Sequence, residues 1–385
     1  MAATGTISVV IPCYNVETYV GETLCSVLNQ SYRKLDVVVV DDSSTDGTLA
    51  VVNALAQDDP RVRVFERPHQ GVNAARNFAL RQTHGEYLTF LDGDDVLLEG
   101  AYADMVAALK QHRTDFVVGG YDRLRDGELW PAASWIRTAH KKDRGRTTVQ
   151  KFPQIMVNAV QWTKLYRRAY WDEKVVDFAL PGYYQDQPVS ARAYARAEAF
   201  TVLARKVVLW RVRDELTSMT QQVRTVDNMR DRFATATAAL RIFQAEAGAE
   251  VATIRHANYL NNDIAHAASF LEDANTAFWD RFRDELRRFV ELDGLPVDWT
   301  RVHARQKVHY HLILAGEREL AAEFRAGARE VKAGRDHLEL DGDYYVPYPF
   351  WDRPDVGVPR ELYRVSDVER RRIERARAAV TAPQP

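Results

Sequence analysis

Three carboxylates fall within four residues at Asp92-Gly93-Asp94-Asp95, directly after the apolar run that ends at Phe90-Leu91. Crowded this closely, they repel one another unless a cation sits among them, and oxygen ligands of this kind suit Mn²⁺ or Mg²⁺. Such an ion would bridge the phosphates of a nucleotide diphosphate and offset charge as that group leaves. The plain alternative is a solvated acidic turn capping a helix. The strand before the motif and a second carboxylate pair elsewhere favour the metal. Another D-x-D, Asp341-Gly342-Asp343, lacks that context and reads as a turn.

Three further groups have chemistry. Asp41-Asp42 follow an apolar run, and a carboxylate at a strand end accepts hydrogen bonds from a base N–H or a ribose hydroxyl. Such pairs also occur in phosphotransfer sites and in helix caps. In Ile11-Pro12-Cys13-Tyr14-Asn15, Pro12 fixes a turn and Tyr14 can stack on a base, although an aromatic after a strand is more often core. In Gly71-Val72-Asn73-Ala74-Ala75-Arg76-Asn77, small residues let a helix start close to a ligand, with Arg76 facing phosphate. Close helix–sheet packing with Arg76 paired to an aspartate is equally compatible with this segment.

The elements that must position these residues alternate. Strands are expected at 7–11, 35–40, 61–66, 86–91 and 115–119, and helices at 17–30, 48–56, 71–83 and 101–111, with Gly85 closing the third helix. This alternation means a doubly wound, mostly parallel α/β sheet with helices on both faces. Ligands bind such sheets outside the carboxyl ends of the strands, where both acidic motifs lie. Residues 120–150 look like a polar mobile loop with a basic cluster at 141–146. Beyond 223, helical spacing at 228–245, 251–271, 274–292 and 301–328 predicts a mainly α-helical region. The expected domains are a catalytic domain at 1–222 (nucleotide-sugar binding 1–120, acceptor side 121–222), a helical domain at 223–335, and an aromatic, Pro-rich segment with a final helix at 336–385.

Composition sets limits on class. The chain has 385 residues, 46% of them hydrophobic, and a net charge of −2, which gives no global field for nucleic acid. Cys13 and Cys25 are too few for a disulfide framework and read as core residues in a reducing compartment. With no secretory leader and no membrane-length apolar stretch, a cytoplasmic protein is expected, at most peripheral to the inner face of the membrane.

Together the motifs resemble the family 2 glycosyltransferases with the GT-A fold, especially the bacterial polysaccharide and teichoic-acid branch. The matching pieces are Val10–Asn15, Ser26–Tyr32, Val40–Gly47, Ala74–Asn77 and Phe90–Asp95, in the family's order and spacing. More thinly, Trp162–Arg168 resembles W-x-K-L-Y-R-R, and Leu180–Asp186 resembles a shortened P-x-G-x-x-x-E-D. Trp210–Arg213 and Ser218-Met219-Thr220 resemble the end of the catalytic domain.

The resemblance implies that Pro12, Tyr14, Asn15, Asp41 and Asp42 hold the nucleoside, uridine, of a UDP-sugar donor. Asn73, Arg76, Asp92, Gly93 and Arg213 would lie along the nucleotide sugar. Asp92, Asp94 and Asp95 would serve Mn²⁺ or Mg²⁺, and Asp186 would be the general base of an inverting transfer. Gln185 replaces the usual acidic neighbour and leaves Asp186 as the candidate base there. The Arg211–Thr220 segment holds no histidine to serve as the metal ligand that some relatives place there. The implied acceptor is a sugar or polyol polymer, or a lipid-linked precursor, of the cell envelope.

The helical domain is expected to bind acceptor or make homo-oligomers. His309 and His311 are two apart on a helix and face different ways, which excludes a metal pair. The 344–351 aromatics are expected to pack the C-terminus onto the catalytic domain. Rival functions are a nucleotidyltransferase, which would release pyrophosphate, and a non-catalytic sugar-polymer scaffold.

Overall fold

The computed structural model describes residues 3–178, 182–213 and 224–381. Leu180, Pro181, Ser218, Met219, Thr220 and the expected boundary at 222 lie outside the described residues. Two compact units form: Met1–Gln222 with Ala238–Gly248, and Val223–Thr237 with Ala249–Pro385.

The first unit runs β1 (Ala3–Cys13), α1 (Glu17–Leu28), β2 (Leu35–Asp41), α2 (Thr48–Asp58), β3 (Val62–Glu66), α3 (Val72–Gln82), β4 (Gly85–Phe90), β5 (Val96–Leu97) and α4 (Ala101–His112). It continues with β6 (Phe116–Arg125), β7 (Glu128–Pro131), α5 (Ser134–Ala139), β8 (Arg144–Thr147), β9 (Lys164–Arg167), α6 (Arg168–Tyr170), α7 (Asp186–Arg196) and β10 (Phe200–Arg211). The ten strands make one sheet in the order β3-β2-β1-β4-β9-β6-β10-β5, with β7 added to β6 and β8 to β10. Strands β3, β2, β1 and β4 are mutually parallel, as are β6 and β10, while β9 runs against both of its neighbours.

Val9, Val10, Ile11 and Val37 to Val40 are each 0% exposed, so β1 and β2 are covered on both faces, which is why they read as unbroken apolar runs. The carboxyl ends of β1, β2, β4, β6 and β10 point to one edge, and the chemistry-bearing motifs sit there.

The structure corrects several expectations. Gly85 does not close α3; it opens β4, where a Cβ would lie 2.6 Å from the Thr6 carbonyl and 2.7 Å from the Ser8 nitrogen. Residues 120–150 are not one irregular loop but hold β7, α5 and β8. Cys13 is buried, but Cys25 is exposed.

The second unit continues from α8 (Val226–Glu246), whose last turns belong to the first unit, into α9 (Ala249–Asn261), α10 (Asp263–Ala268), α11 (Thr276–Val290), α12 (Ala304–Ala315) and α13 (Arg318–Ala328). The two longest expected helices are each split, one near Asn262 and the other at Gly316, whose φ of 84° ends α12 in a left-handed cap. The hairpin β11 (Leu338–Leu340) and β12 (Asp343–Tyr345) turns at Asp341-Gly342, both with positive φ, and α14 (Asp367–Thr381) follows. Tyr348 and Phe350 pack on Phe324 of the same unit. Arg281 and Arg288 pair with Glu285, and Arg283 pairs with Asp280, a solvated ion-pair face. No helix among the described residues is long and apolar enough to cross a membrane.

Close approach and helix propensity give opposite signs for two glycine substitutions. Gly85→Ala is expected to cost about 1–3 kcal/mol or more by forcing β4 from β1. Gly21→Ala in α1, where a Cβ meets only Val51 Cγ1 at 3.6 Å, should gain up to about 1 kcal/mol. Thermal unfolding of both variants checks the pair.

Candidate active site

At the end of β1, Tyr14 leaves 45% of its surface exposed and lies 4.4 Å, centroid to centroid, from the ring of His69. Pro12 is buried beside it, in register with Val40. Asn15, at φ 50°, fastens the turn after β2: its side-chain oxygen accepts from the Thr45 N–H at 2.8 Å, and its own N–H donates to Ser44 Oγ at 3.0 Å. Asp41 accepts from the Ser44 N–H at 2.9 Å through Oδ2, while its buried Oδ1 has no hydrogen-bond partner.

Asp42 is engaged by protein. Its two oxygens accept from the N–H groups of Gln70 and Gly71 at 3.1 and 2.8 Å, and His69 Nδ1 lies 3.0 Å away. Its immediate task is to hold the loop that opens α3. Sequence reasoning missed His69; the faint signal was an aromatic two residues before a helix-opening glycine.

The acidic turn after β4 spreads its carboxylates onto separate partners. Asp92 pairs with Arg76 at 2.6 Å. Gly93 must be glycine because a Cβ would sit 2.9 Å from Cys13 Sγ and 3.1 Å from the Pro12 carbonyl, so the turn lies tight against β1. Asp94 pairs with Arg213 at 2.5 Å. Asp95 accepts from the Arg211 N–H at 2.9 Å, and its other oxygen is buried without a partner.

Burial raises the Asp94 carboxyl above its ordinary range against the opposing pull of Arg213, with Asp92 adding repulsion. Asp95 is raised further, by burial and then by repulsion from Asp94 and Asp92. No three His, Cys, Asp or Glu side chains among the described residues converge as a ready ligand set. A metal would therefore take one or two of these carboxylates and complete its shell with phosphate oxygens and water, as Mg²⁺ does in nucleotide sites. The under-neutralised charge at Asp94 and Asp95 and the hard oxygen donors fit such an ion.

Arg76 joins this turn to Asp186. Helix α3 presents the guanidinium only 4% exposed, with Nη2 donating to Asp92 Oδ1 at 2.6 Å and Nη1 to Asp186 Oδ1 at 3.4 Å. Its Cζ lies 5.1 Å from the centre of the Phe178 ring. Asn77 fixes that ring's backbone from both sides, accepting from the Phe178 N–H and donating to its carbonyl, each at 3.0 Å. Asn73, on the same helix, is buried.

Asp186 is the first residue of α7, a position that favours negative charge. Beneath it, Gln161 donates to Ser190 Oγ at 2.8 Å and to the Asp186 carbonyl at 3.4 Å, and it accepts from Tyr166 Oη at 2.7 Å. Lys164 is wholly buried, donates to the Asn158 and Val160 carbonyls, and is lowered by burial to about 7. The Asp186 carboxyl is raised by burial, against the opposing effect of Arg76, yet 19% of its side chain stays exposed, enough for a ligand to reach. Phe178, Gln161 and Lys164 were not selected as site residues from the sequence, because only the folded chain brings them to α7.

Residues 8–173 match the model of glycosyl transferase family 2. This stretch is a family 2 glycosyltransferase domain. An uncharacterized glycosyltransferase of Haemophilus influenzae is 36% identical over 116 residues, 30% of this chain and 46% of the relative. A Campylobacter jejuni GalNAc(5)-diNAcBac-PP-undecaprenol beta-1,3-glucosyltransferase is 38% identical over 102 residues, 26% of this chain and 33% of the relative. The poly(ribitol-phosphate) beta-N-acetylglucosaminyltransferase TarS of Staphylococcus aureus is 29% identical over 212 residues, 54% of this chain and 36% of the relative. The chain thus spans less than half the length of each of these three relatives. The crystal structure of TarS 1–349 with UDP-GlcNAc superposes with a TM-score of 0.69 at 21% identity, covering 89% of this chain and 97% of that one. The architecture is therefore GT-A-like, a mostly parallel mixed sheet followed by a helical region.

Removing the Arg76 cation leaves two carboxylates facing each other in a desolvated crevice. Arg76→Met is expected to cost on the order of 3 kcal/mol at neutral pH. The folded-state pKa of Asp186 would rise further above its unfolded value, so the deficit should shrink as pH falls and grow as pH rises. Thermal melts of both proteins between pH 5 and 8 check the sign.

Proposed function

We propose that the protein transfers a sugar, with inversion, from a UDP-sugar to an acceptor hydroxyl in the synthesis of a cell-envelope polysaccharide or teichoic-acid-like polymer. One observation carries this reading: a partly exposed carboxylate with a raised pKa, Asp186, shares a single buried arginine with the acidic turn at the sheet's ligand edge. The family 2 domain and the cell-envelope relatives support it. UDP-GlcNAc, present in the TarS crystal structure, is the first donor to examine.

The nucleoside lies across the ends of β1 and β2, with Tyr14 against the base and Asp41 within reach of its polar edge. Asp94 would hold Mn²⁺ or Mg²⁺, which when bound would supply charge neutralisation for the departing UDP. Arg213, which pairs with Asp94, would turn toward phosphate when a cation takes its place. Asp186 accepts the acceptor's hydroxyl proton as that oxygen bonds to the anomeric carbon and the bond to UDP breaks. Attack from the face opposite the leaving group inverts the anomeric centre. A carboxyl raised toward the working pH is a better base than an ordinary aspartate. The acceptor is proposed to be a polyol or sugar polymer, or a lipid-linked precursor, met at the cytoplasmic face of the membrane.

A panel of UDP-sugars assayed for UDP release with and without Mn²⁺ is expected to yield one preferred donor and a metal requirement. Release of pyrophosphate instead would contradict the transfer reading. Asp186→Asn should lower turnover by about 10²–10⁴-fold while UDP affinity stays within about twofold. In the unaltered protein, turnover should rise with pH through the Asp186 pKa, with a midpoint above the ordinary carboxylate range. Undiminished turnover in Asp186→Asn would remove the base assignment.

A further inference from the structure

Strands β7, β6 and β10 carry one row of side chains across the ligand edge of the sheet. Arg123 of β6 is directly opposite Trp130 of β7 and in register with Trp210 of β10. Partners in register point to the same face, so all three side chains share it. Two residues back on β6, Tyr121 also faces that way, 6.5 Å from the Trp210 ring and 4.8 Å from the ring of Trp162. Trp162 and Tyr121 pack against the core that the sheet shares with α1 and α4, while Trp130 is 51% exposed on the hairpin. Trp210 is next to Arg211, whose N–H holds Asp95.

Arg123 is the unusual member. Its Cζ lies 5.8 Å from the centre of the Trp210 ring, and its buried Nε has no hydrogen-bond partner. Among the described residues it makes no ion pair. The neighbouring carboxylate, Asp122, points to the opposite face, where the Ala132 N–H and Lys206 engage it. A partly desolvated guanidinium without an acceptor costs stability in a purely structural ladder, and an anionic ligand would supply the missing partner.

We infer that this row is the acceptor track, and that it takes a glycan chain bearing acidic groups. The inference rests on the transfer reading and names the substrate class of the same site. Trp130 and Trp210 offer rings to the apolar faces of sugar rings, and Arg123 between them pairs with an anionic substituent. Two interstrand spacings put their backbones about 10 Å apart, a span that two linked pyranose rings cover. Trp130 opens the row to solvent, and Trp210 joins it to Arg211 and so to Asp95. The balance of charge on the whole chain, −2, hides this local cation.

The test is an immobilised panel of bacterial glycans with neutral, uronate-bearing and phosphate-bearing chains, probed with the full-length protein, alongside calorimetric titration of UDP. Anionic chains are expected to retain the protein. Trp130→Ala and Arg123→Gln should each cut retention at least about fivefold. Trp130→Phe should keep it within about twofold, UDP affinity should be unchanged in all three, and melting temperature should fall in none of them. Retention on neutral chains alone, on no chain, or undiminished in both loss variants would overturn the inference. If UDP fails to bind while retention still depends on Trp130 and Arg123, the donor reading falls and the track stands.

Discussion

The buried guanidinium of Arg76 holds apart two carboxylates that would otherwise repel across the crevice. It is covered by Phe178 and reaches Asp92 from one side and Asp186 from the other. Burying such a cation is favourable only because it is paired on both sides, and it opposes the rise that burial imposes on the Asp186 carboxyl. Metal-side and base-side chemistry are thereby set at a fixed separation by one helix. Much of the local sequence serves that placement: Ala75 lets α3 lie close to the sheet, and Asn77 fixes the backbone of the ring that covers the cation.

The same logic runs along the strand ends. Parallel strands buried on both faces stop where their carboxyl ends meet solvent, and the stops of β2 and β4 are marked by aspartates. Asp41 and Asp42 satisfy loop amides, Asp94 and Asp95 meet Arg213 and the Arg211 N–H, and Gly93 lets the acidic turn lie against β1. Most of this charge is met by the protein's own donors. The remainder, at Asp94 and Asp95, is what a cation would relieve.

Much of this was legible in the sequence because the signals were local. Apolar runs broken by acidic turns give the strand ends, and helical spacing gives the packing faces. Arg76 stayed ambiguous because a phosphate and an aspartate present the same anionic partner to an arginine. Asp42 looked like a ligand contact because a strand-end carboxylate accepts equally well from a base or from loop amides 28 and 29 residues on. Gly85 resembled a helix stop, since close approach to the Thr6 carbonyl leaves no trace in a single chain. Strand β7 was hidden because all four of its residues are exposed and show no alternation. Gln161 and Lys164 belong to a polar cluster assembled from distant segments, beyond the reach of any spacing rule.

Crystals of the full chain grown with UDP and Mn²⁺, measured at the manganese absorption edge, test the central claim most directly. An anomalous peak is expected against the Asp94 carboxylate and the diphosphate, with Arg76 still between Asp92 and Asp186. A peak away from the acidic turn, or Arg76 released from both carboxylates onto the diphosphate, would contradict it.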